Sequence, residues 1–335
     1  LILRHLRAGR ALSVDDLDQQ LLPASVRRRA LVALYEATTA IQEGRRDLAD
    51  VLGEISAKTA DTRVASSWDG EEVPWDSERA VIPPATMGAR VDGAMCVSPG
   101  AVGLLIAPPE SSKSMFAQSL CIEAALMHRH AVYIDLESRA ERVVARVRQH
   151  LDGDECRGWL HYIRPEAPMS TSDRWKARRR VADLCPAVVI IDGYNALLAK
   201  YRLDSNKTSD IAMIAEQVVG PWSGPDTCTL LIDHISKEDD RQGRKTAIGS
   251  IAKTGLVDYA LAFTPDVDNR IARGSVGWAT ITVEKDRDGE LRRHCRDYRT
   301  FGRFTVNSNA RGRWEHAVTM PDGMTGPLMA WRHAS

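Results

Sequence analysis

An α/β fold, with a mostly parallel central sheet flanked by helices and a small helical region ahead of it, follows from three features of the sequence. From residue 88 onward, short apolar runs alternate with segments of helical periodicity, the pattern of strands joined by crossover helices. The runs are almost continuously apolar, as in Ala187-Val188-Val189-Ile190-Ile191-Asp192, which suits strands covered on both faces. Several of them end in a carboxylate, at the strand ends where open α/β sheets bind ligands.

The expected parallel strands are 102–107, 131–136, 160–163, 187–192 and 227–233, with helices over 113–128, 138–151, 172–184 and 209–219. Past Val257 the reading changes to strands alone: 257–263, 278–284, 291–297 and 301–306, with a turn at Asp288-Gly289. Residues 1–57 read as an N-terminal helical region. Ser13 and Asp16 form a cap-like start, Val26, Ala30, Leu34, Ala37 and Ile41 recur at helical spacing, and Gly44 gives a stop. Residues 58–87, with Pro74, Pro83 and Pro84 and the anchors Trp68 and Trp75, read as a linker. The core is expected over 88–306 and a C-terminal extension over 307–335.

Hydrophobic residues make up 44% and charged residues 27%, the proportions of a folded globular chain. The formal net charge is zero, so any nucleic-acid site must be a local patch rather than a property of the whole surface. No run of 18 apolar residues occurs, which argues against a membrane span. The opening LILRHLRAGR lacks the apolar centre of a secretory signal, and a cytoplasmic location is expected. The six cysteines include no C-x-x-C pair and read as reduced, mostly buried thiols; a zinc site is not expected.

The chemistry centres on Ala107-Pro108-Pro109-Glu110-Ser111-Ser112-Lys113-Ser114-Met115, between an apolar strand and an amphipathic helix. The phosphate-loop pattern G-x-x-x-x-G-K-[ST] needs that context, because backbone N–H groups at a helix N-terminus cradle phosphates. Ala107 stands for the first glycine and Ser112 for the second. Lys113 is placed to reach the β- and γ-phosphates of ATP and Ser114 to ligate Mg²⁺. A side chain where glycine takes positive φ costs roughly 1–2 kcal/mol, so these departures bear on turnover more than on fold. A strand–turn–helix with a surface lysine is the plain alternative.

Tyr133-Ile134-Asp135-Leu136-Glu137 ends the next strand, and Glu137 is the candidate to orient and activate the attacking water. Alone, it would read as a solvated acid capping a helix. Val188–Asp192 has the form of a Walker B strand, with Asp192 the second candidate on Mg²⁺. Leu230-Leu231-Ile232-Asp233-His234 ends a third strand, and His234 is the candidate γ-phosphate sensor, against a purely structural histidine.

Taken in this order, YIDLE, VVIIDGYNALL and LLIDHISK resemble the RecA/DnaB-type ATPase core, and most closely the RepA-like AAA family ATPases of actinobacteria, their phages and plasmids. Further residues carry the resemblance: Asp233-His234-Ile235-Ser236-Lys237, Gly249-Ser250-Ile251-Ala252-Lys253 and Glu284-Lys285-Asp286-Arg287-Asp288-Gly289. It covers roughly residues 88–305. It implies homo-oligomeric rings, usually hexamers, with ATP at subunit interfaces. It implies that Lys285 and Arg287 reach a neighbour's γ-phosphate; by itself KDRDG is a charged turn. It implies loops contacting single-stranded DNA over 200–210 and 237–246. In the second loop Lys237, Arg241, Arg244 and Lys245 would contact phosphates, since no aromatic residue there offers base stacking; a solvated loop is the alternative.

Two classes of function stay open on the sequence. One is an ATP-driven DNA motor, a helicase or related replication or recombination ATPase whose N-terminal helices meet a replication or recombination protein. The other is a nucleotide-gated DNA-binding, loader or scaffold protein with weak hydrolysis. A RecA-like filament-forming recombinase is a third variant.

Overall fold

The computed structural model describes residues 83–235 and 252–322. The N-terminal helical region, the linker up to residue 82, and Lys237, Arg241, Arg244 and Lys245 lie outside the described residues.

Strand β1 (Val102–Ala107) shows why the apolar runs become buried strands. Successive side chains point to opposite faces, so Leu105 and Ala107 enter one core layer while Leu104 and Ile106 enter the other. The same double burial holds in β2 (Ala131–Asp135) and β4 (Val188–Asp192), where every residue is buried. The sheet has nine strands in the order β3-β2-β4-β5-β1-β6-β7-β8-β9, where β3 is Leu160–Ile163, β5 Cys228–His234, β6 Tyr259–Pro265, β7 Val276–Asp286, β8 Thr300–Ser308 and β9 Trp314–Thr319. The first six run parallel and β7–β9 extend the sheet as an antiparallel meander.

Helix α1 (Lys113–Leu126) is buried along most of its length. Its Phe116 ring lies 5.0 Å from Phe263 and 5.4 Å from Phe304, so the helix also supports the antiparallel half of the sheet. Helix α2 (Ala140–Gln149) buries only Val143 and Val147, in the same layer. On the other face, α3 (Thr171–Leu184) begins with a capping box: Asp173 N–H donates to Ser170 Oγ (3.1 Å) and Ser170 N–H to Asp173 Oδ2 (3.0 Å). Helices α4 (Tyr194–Lys200) and α5 (Thr208–Ile214) complete that layer.

The expected α/β architecture is present, with three local differences. Residues 291–297 do not form a strand; they hold a 3₁₀ turn at Arg292–His294. The Asp286 carboxylate accepts from the N–H groups of Gly289, Leu291 and Arg292, diverting them from any ladder, and β7 pairs directly with β8. The helix expected over 209–219 changes to a π-turn at Ala215–Val219 and a 3₁₀ turn at Gly220–Trp222, within which Pro221 cannot supply a helical donor. The first proposed DNA loop, 200–210, is helical at both ends, since Lys200 closes α4 and Asp210 lies in α5. Within 307–335, Trp314–Thr319 is the ninth strand. All six cysteines are free thiols, four of them buried, while Cys185 is exposed and Cys295 half-buried. No helix among the described residues is long and apolar enough to cross a membrane.

Candidate nucleotide site

The parallel register brings the carboxyl ends of four strands to one edge of the sheet. Ala107 pairs with His234 across β1 and β5, and Asp135 with Asp192 across β2 and β4.

Ala107 ends β1 fully buried, and its carbonyl accepts from Ile235 N–H at 3.1 Å. The loop then turns outward through Pro108, Pro109 and Glu110. Glu110 (φ 61°) and Ser112 (φ 68°) both lie in the left-handed region. Ser112 thus adopts the backbone that glycine supplies in the standard motif, and the loop keeps its geometry without that glycine. The Ser111 hydroxyl donates to the Pro108 carbonyl and closes the turn. No side chain caps α1, and its first turn carries no acid. The N–H groups of Lys113, Ser114 and Met115 therefore point from an uncapped helix end into the loop, a setting that favours an anion.

Lys113 is buried, and its Nζ lies 3.1 Å from His234 Nδ1. Burial holds the lysine below its ordinary range, opposed by the charges of Asp192, Glu137 and Asp233. On the other side of the imidazole, His234 Nε2 lies 3.6 Å from Glu137 Oε2. The neighbouring His234 ring is the main reason that the Glu137 carboxyl lies below the usual range, with the charge of Lys113 adding to it against partial burial. Asp192 is 6% exposed, and burial pushes its carboxyl up, although hydrogen bonds from Tyr133 and Ser114 oppose this. The Tyr133 hydroxyl donates to Asp192 Oδ2. Gly193 follows with φ 104°, and a Cβ there would sit 2.6 Å from Glu137 Cγ. Glycine is therefore required on two grounds, the backbone angle and the proximity of Glu137.

Sequence reasoning missed the groups that hold this arrangement. Asp135 Oδ1 accepts from the N–H groups of Glu137 (3.0 Å) and Ser138 (2.7 Å), an Asx-type turn that presents Glu137. Tyr162 donates to its other oxygen at 3.0 Å. Beneath His234, the buried Asp233 carboxylate takes Lys253 Nζ at 2.7 Å and Asn195 Nδ2 at 2.8 Å. Burial raises the Asp233 carboxyl, and Lys253 opposes that rise. No periodicity marks these pairings, since they join residues 20 and 38 positions apart. The usable signal was chemical: an aspartate inside an apolar strand needs a donor nearby.

Lys285 and Arg287 are not brought to this site. Lys285 Nζ donates to the carbonyls of Thr254 (2.9 Å) and Gly255 (2.8 Å), and Arg287 Nη1 to Asp258 Oδ1 at 2.7 Å. The other oxygen of Asp258 accepts from Val102 N–H at 2.9 Å. Val102 begins β1 and Ala107 ends it, so these cations sit a strand's length from the phosphate loop, roughly 17 Å at 3.3 Å per residue.

The residues fit Mg²⁺-ATP. Ser114 and Asp192 offer a hydroxyl and a carboxylate in mutual contact, the hard oxygen donors Mg²⁺ prefers, and Lys113 with the uncapped helix end supplies positive charge for phosphates. Strand, loop and helix of this form, with a strand-end aspartate facing the Lys-Ser dipeptide, define a P-loop nucleoside triphosphatase. A family model described as AAA domain matches residues 71–240, and the chain belongs to that family; it is a P-loop ATPase. No curated protein matches the sequence. Among solved structures the chain is similar to the KaiC-like protein PH0186 from the hyperthermophilic archaeon Pyrococcus horikoshii OT3. The identity is 12% and the TM-score 0.48, over 71% of this chain and 96% of that one.

Proposed function

We propose that the chain is an ATP-driven DNA motor of the RepA/DnaB-like type, hydrolysing ATP at the subunit interfaces of a hexameric ring. The observation that carries this reading is the separation of the two halves of the chemistry. Lys113, Ser114, Glu137, Asp192 and His234 gather at one end of the parallel strands, while Lys285 and Arg287 lie at the other. Cations that far from their own phosphate loop do not reach their own nucleotide, which supports a role at a neighbour's.

Within one site, Lys113 and the start of α1 would hold the β- and γ-phosphates, while Ser114 and Asp192 would hold Mg²⁺, which would supply neutralising charge to the phosphates. Glu137 orients a water and accepts its proton as the water oxygen bonds to the γ-phosphorus and the bond to the β-phosphate oxygen breaks. His234, between Lys113 and Glu137, is the group that senses the γ-phosphate. Arg287 and Lys285 of a neighbour stabilise charge on the transferring group. Lys237, Arg241, Arg244 and Lys245 contact the phosphates of single-stranded DNA, and residues 1–57 meet a replication or recombination protein.

A nucleotide-gated loader with slow turnover is the second reading. Ser112 favours it, because a side chain at positive φ makes the phosphate loop costlier to hold. Measuring ATP hydrolysis with and without single-stranded DNA separates the two. The motor predicts a DNA-stimulated rate, and nucleotide-dependent assembly with a slow rate indifferent to DNA would favour the loader.

A further inference from the structure

Among the described residues Lys253 is one of the largest fully buried side chains, and its charge is matched to the buried Asp233 carboxylate. Its Nζ donates to Asp233 Oδ2 (2.7 Å) and to Asn195 Oδ1 (2.5 Å), and lies 5.1 Å from the centre of the Tyr194 ring. Each partner adjoins a residue of the nucleotide site. Asp233 precedes His234 and accepts its backbone N–H at 2.8 Å, and Asn195 lies three residues after Asp192 and donates to the same Asp233 oxygen. Lys253 itself lies on helix α6 (Ala252–Leu256). Two carbonyls of α6, those of Thr254 and Gly255, are the ones that hold Lys285, and Asp258 just beyond the helix holds Arg287.

We propose that Lys253 is a positioning residue that links the phosphate-sensing end of β5 to the Lys285–Arg287 turn, so that the occupancy of one subunit's site sets the cations it presents to the next. This rests on the ring reading above. The link is continuous and made of polar contacts: His234 to Asp233, Asp233 to Lys253, α6 to Lys285. A γ-phosphate engaging Lys113 and His234 replaces their 3.1 Å contact and shifts the strand end that carries Asp233. A partly open pocket of about 190 Å³ lined by Lys253, Leu256, Val257, Tyr194 and Val219 borders α6 on one side.

The test mixes full-length subunits. Glu137→Gln subunits keep Lys113, His234, Lys285 and Arg287 but lack the carboxylate that activates water, and Arg287→Ala subunits are the reverse. Hydrolysis by the mixture but by neither alone establishes that Arg287 acts in trans; failure of the mixture overturns the ring reading and the proposal with it. Asp233→Asn with Lys253→Met is then placed in the Glu137→Gln subunit only, removing both buried charges together. The proposal predicts a recovered kcat about tenfold lower at unchanged KM. Full recovery, with the ring reading intact, would overturn the role of Lys253 alone. Should that double variant not fold, Lys253→Arg gives the same decision: lowered kcat at unchanged KM supports the link, and full recovery removes it.

Discussion

Lys113 Nζ lies 3.1 Å from Nδ1 of His234, whose opposite nitrogen lies 3.6 Å from the Glu137 carboxylate. An ammonium can only donate, so Nδ1 accepts and Nε2 carries the proton toward Glu137. The imidazole thereby fixes the lysine and the carboxylate relative to each other. His234→Ala is expected to leave ATP binding largely intact and to lower kcat roughly a hundredfold, through misplacement of Glu137. Steady-state kinetics beside an equilibrium binding measurement with a fluorescent ATP analogue checks this; an unchanged kcat would remove His234 from the site.

Ser112 occupies φ 68° with a side chain that makes no capping hydrogen bond. Replacing it with glycine removes the steric cost of that conformation but gives the unfolded chain more freedom, so the net gain is about 0.5 kcal/mol. Ser112→Val, β-branched at a left-handed position, is expected to destabilise by about 1–2 kcal/mol. Urea unfolding of the two variants should move in opposite directions, and movement in the same direction would argue against strain at this residue.

Asp192 is buried beside Glu137 and Asp135, and its carboxyl lies above the ordinary value of 3.8. The sign follows directly: a folded-state pKa above the unfolded one favours the fold at low pH, and that contribution is lost as pH rises through the folded value. At neutral pH the ionised carboxylate of the nucleotide-free protein is therefore a cost. Asp192→Asn should stabilise that state by about 1 kcal/mol while abolishing Mg²⁺-dependent hydrolysis. A lower melting temperature for the variant would contradict this.

A pair of histidines titrates where α2 meets β9. His150 Nε2 and His316 Nδ1 are 3.0 Å apart, and burial holds His316 down at about 3, with His150 adding to the effect. A depressed histidine contributes stability that is full above 6.5 and is lost as pH falls toward about 3. Within that window His316 alone contributes a slope of up to about 1.4 kcal/mol per pH unit. Unfolding free energies at pH 7, 5.5 and 4.5 should show the slope, and His316→Gln, which keeps a hydrogen-bonding group for His150, should flatten it.

The parallel strands and their helices were legible because burial on both faces writes itself into sequence as unbroken apolar runs such as Val188–Ile191. The strand, loop and helix around Ser112 were legible as well, because an apolar run before and an amphipathic run after bracket the loop. What escaped was set by single polar contacts. Asp286 turned residues 291–297 into a capped loop, and α4 is too short to display a period. The Asp233–Lys253–Asn195 cluster was hidden because its members are distant in sequence and each looks ordinary alone.

Everything assigned to the site depends on the loop that ends at Lys113. The decisive measurement is the rate of phosphate release from Mg²⁺-ATP by the full-length protein and by Lys113→Ala. A measurable rate that falls at least roughly a hundredfold in the variant is the predicted result. Equal rates in the two proteins would mean that ATP is hydrolysed elsewhere, and the site would have to be abandoned.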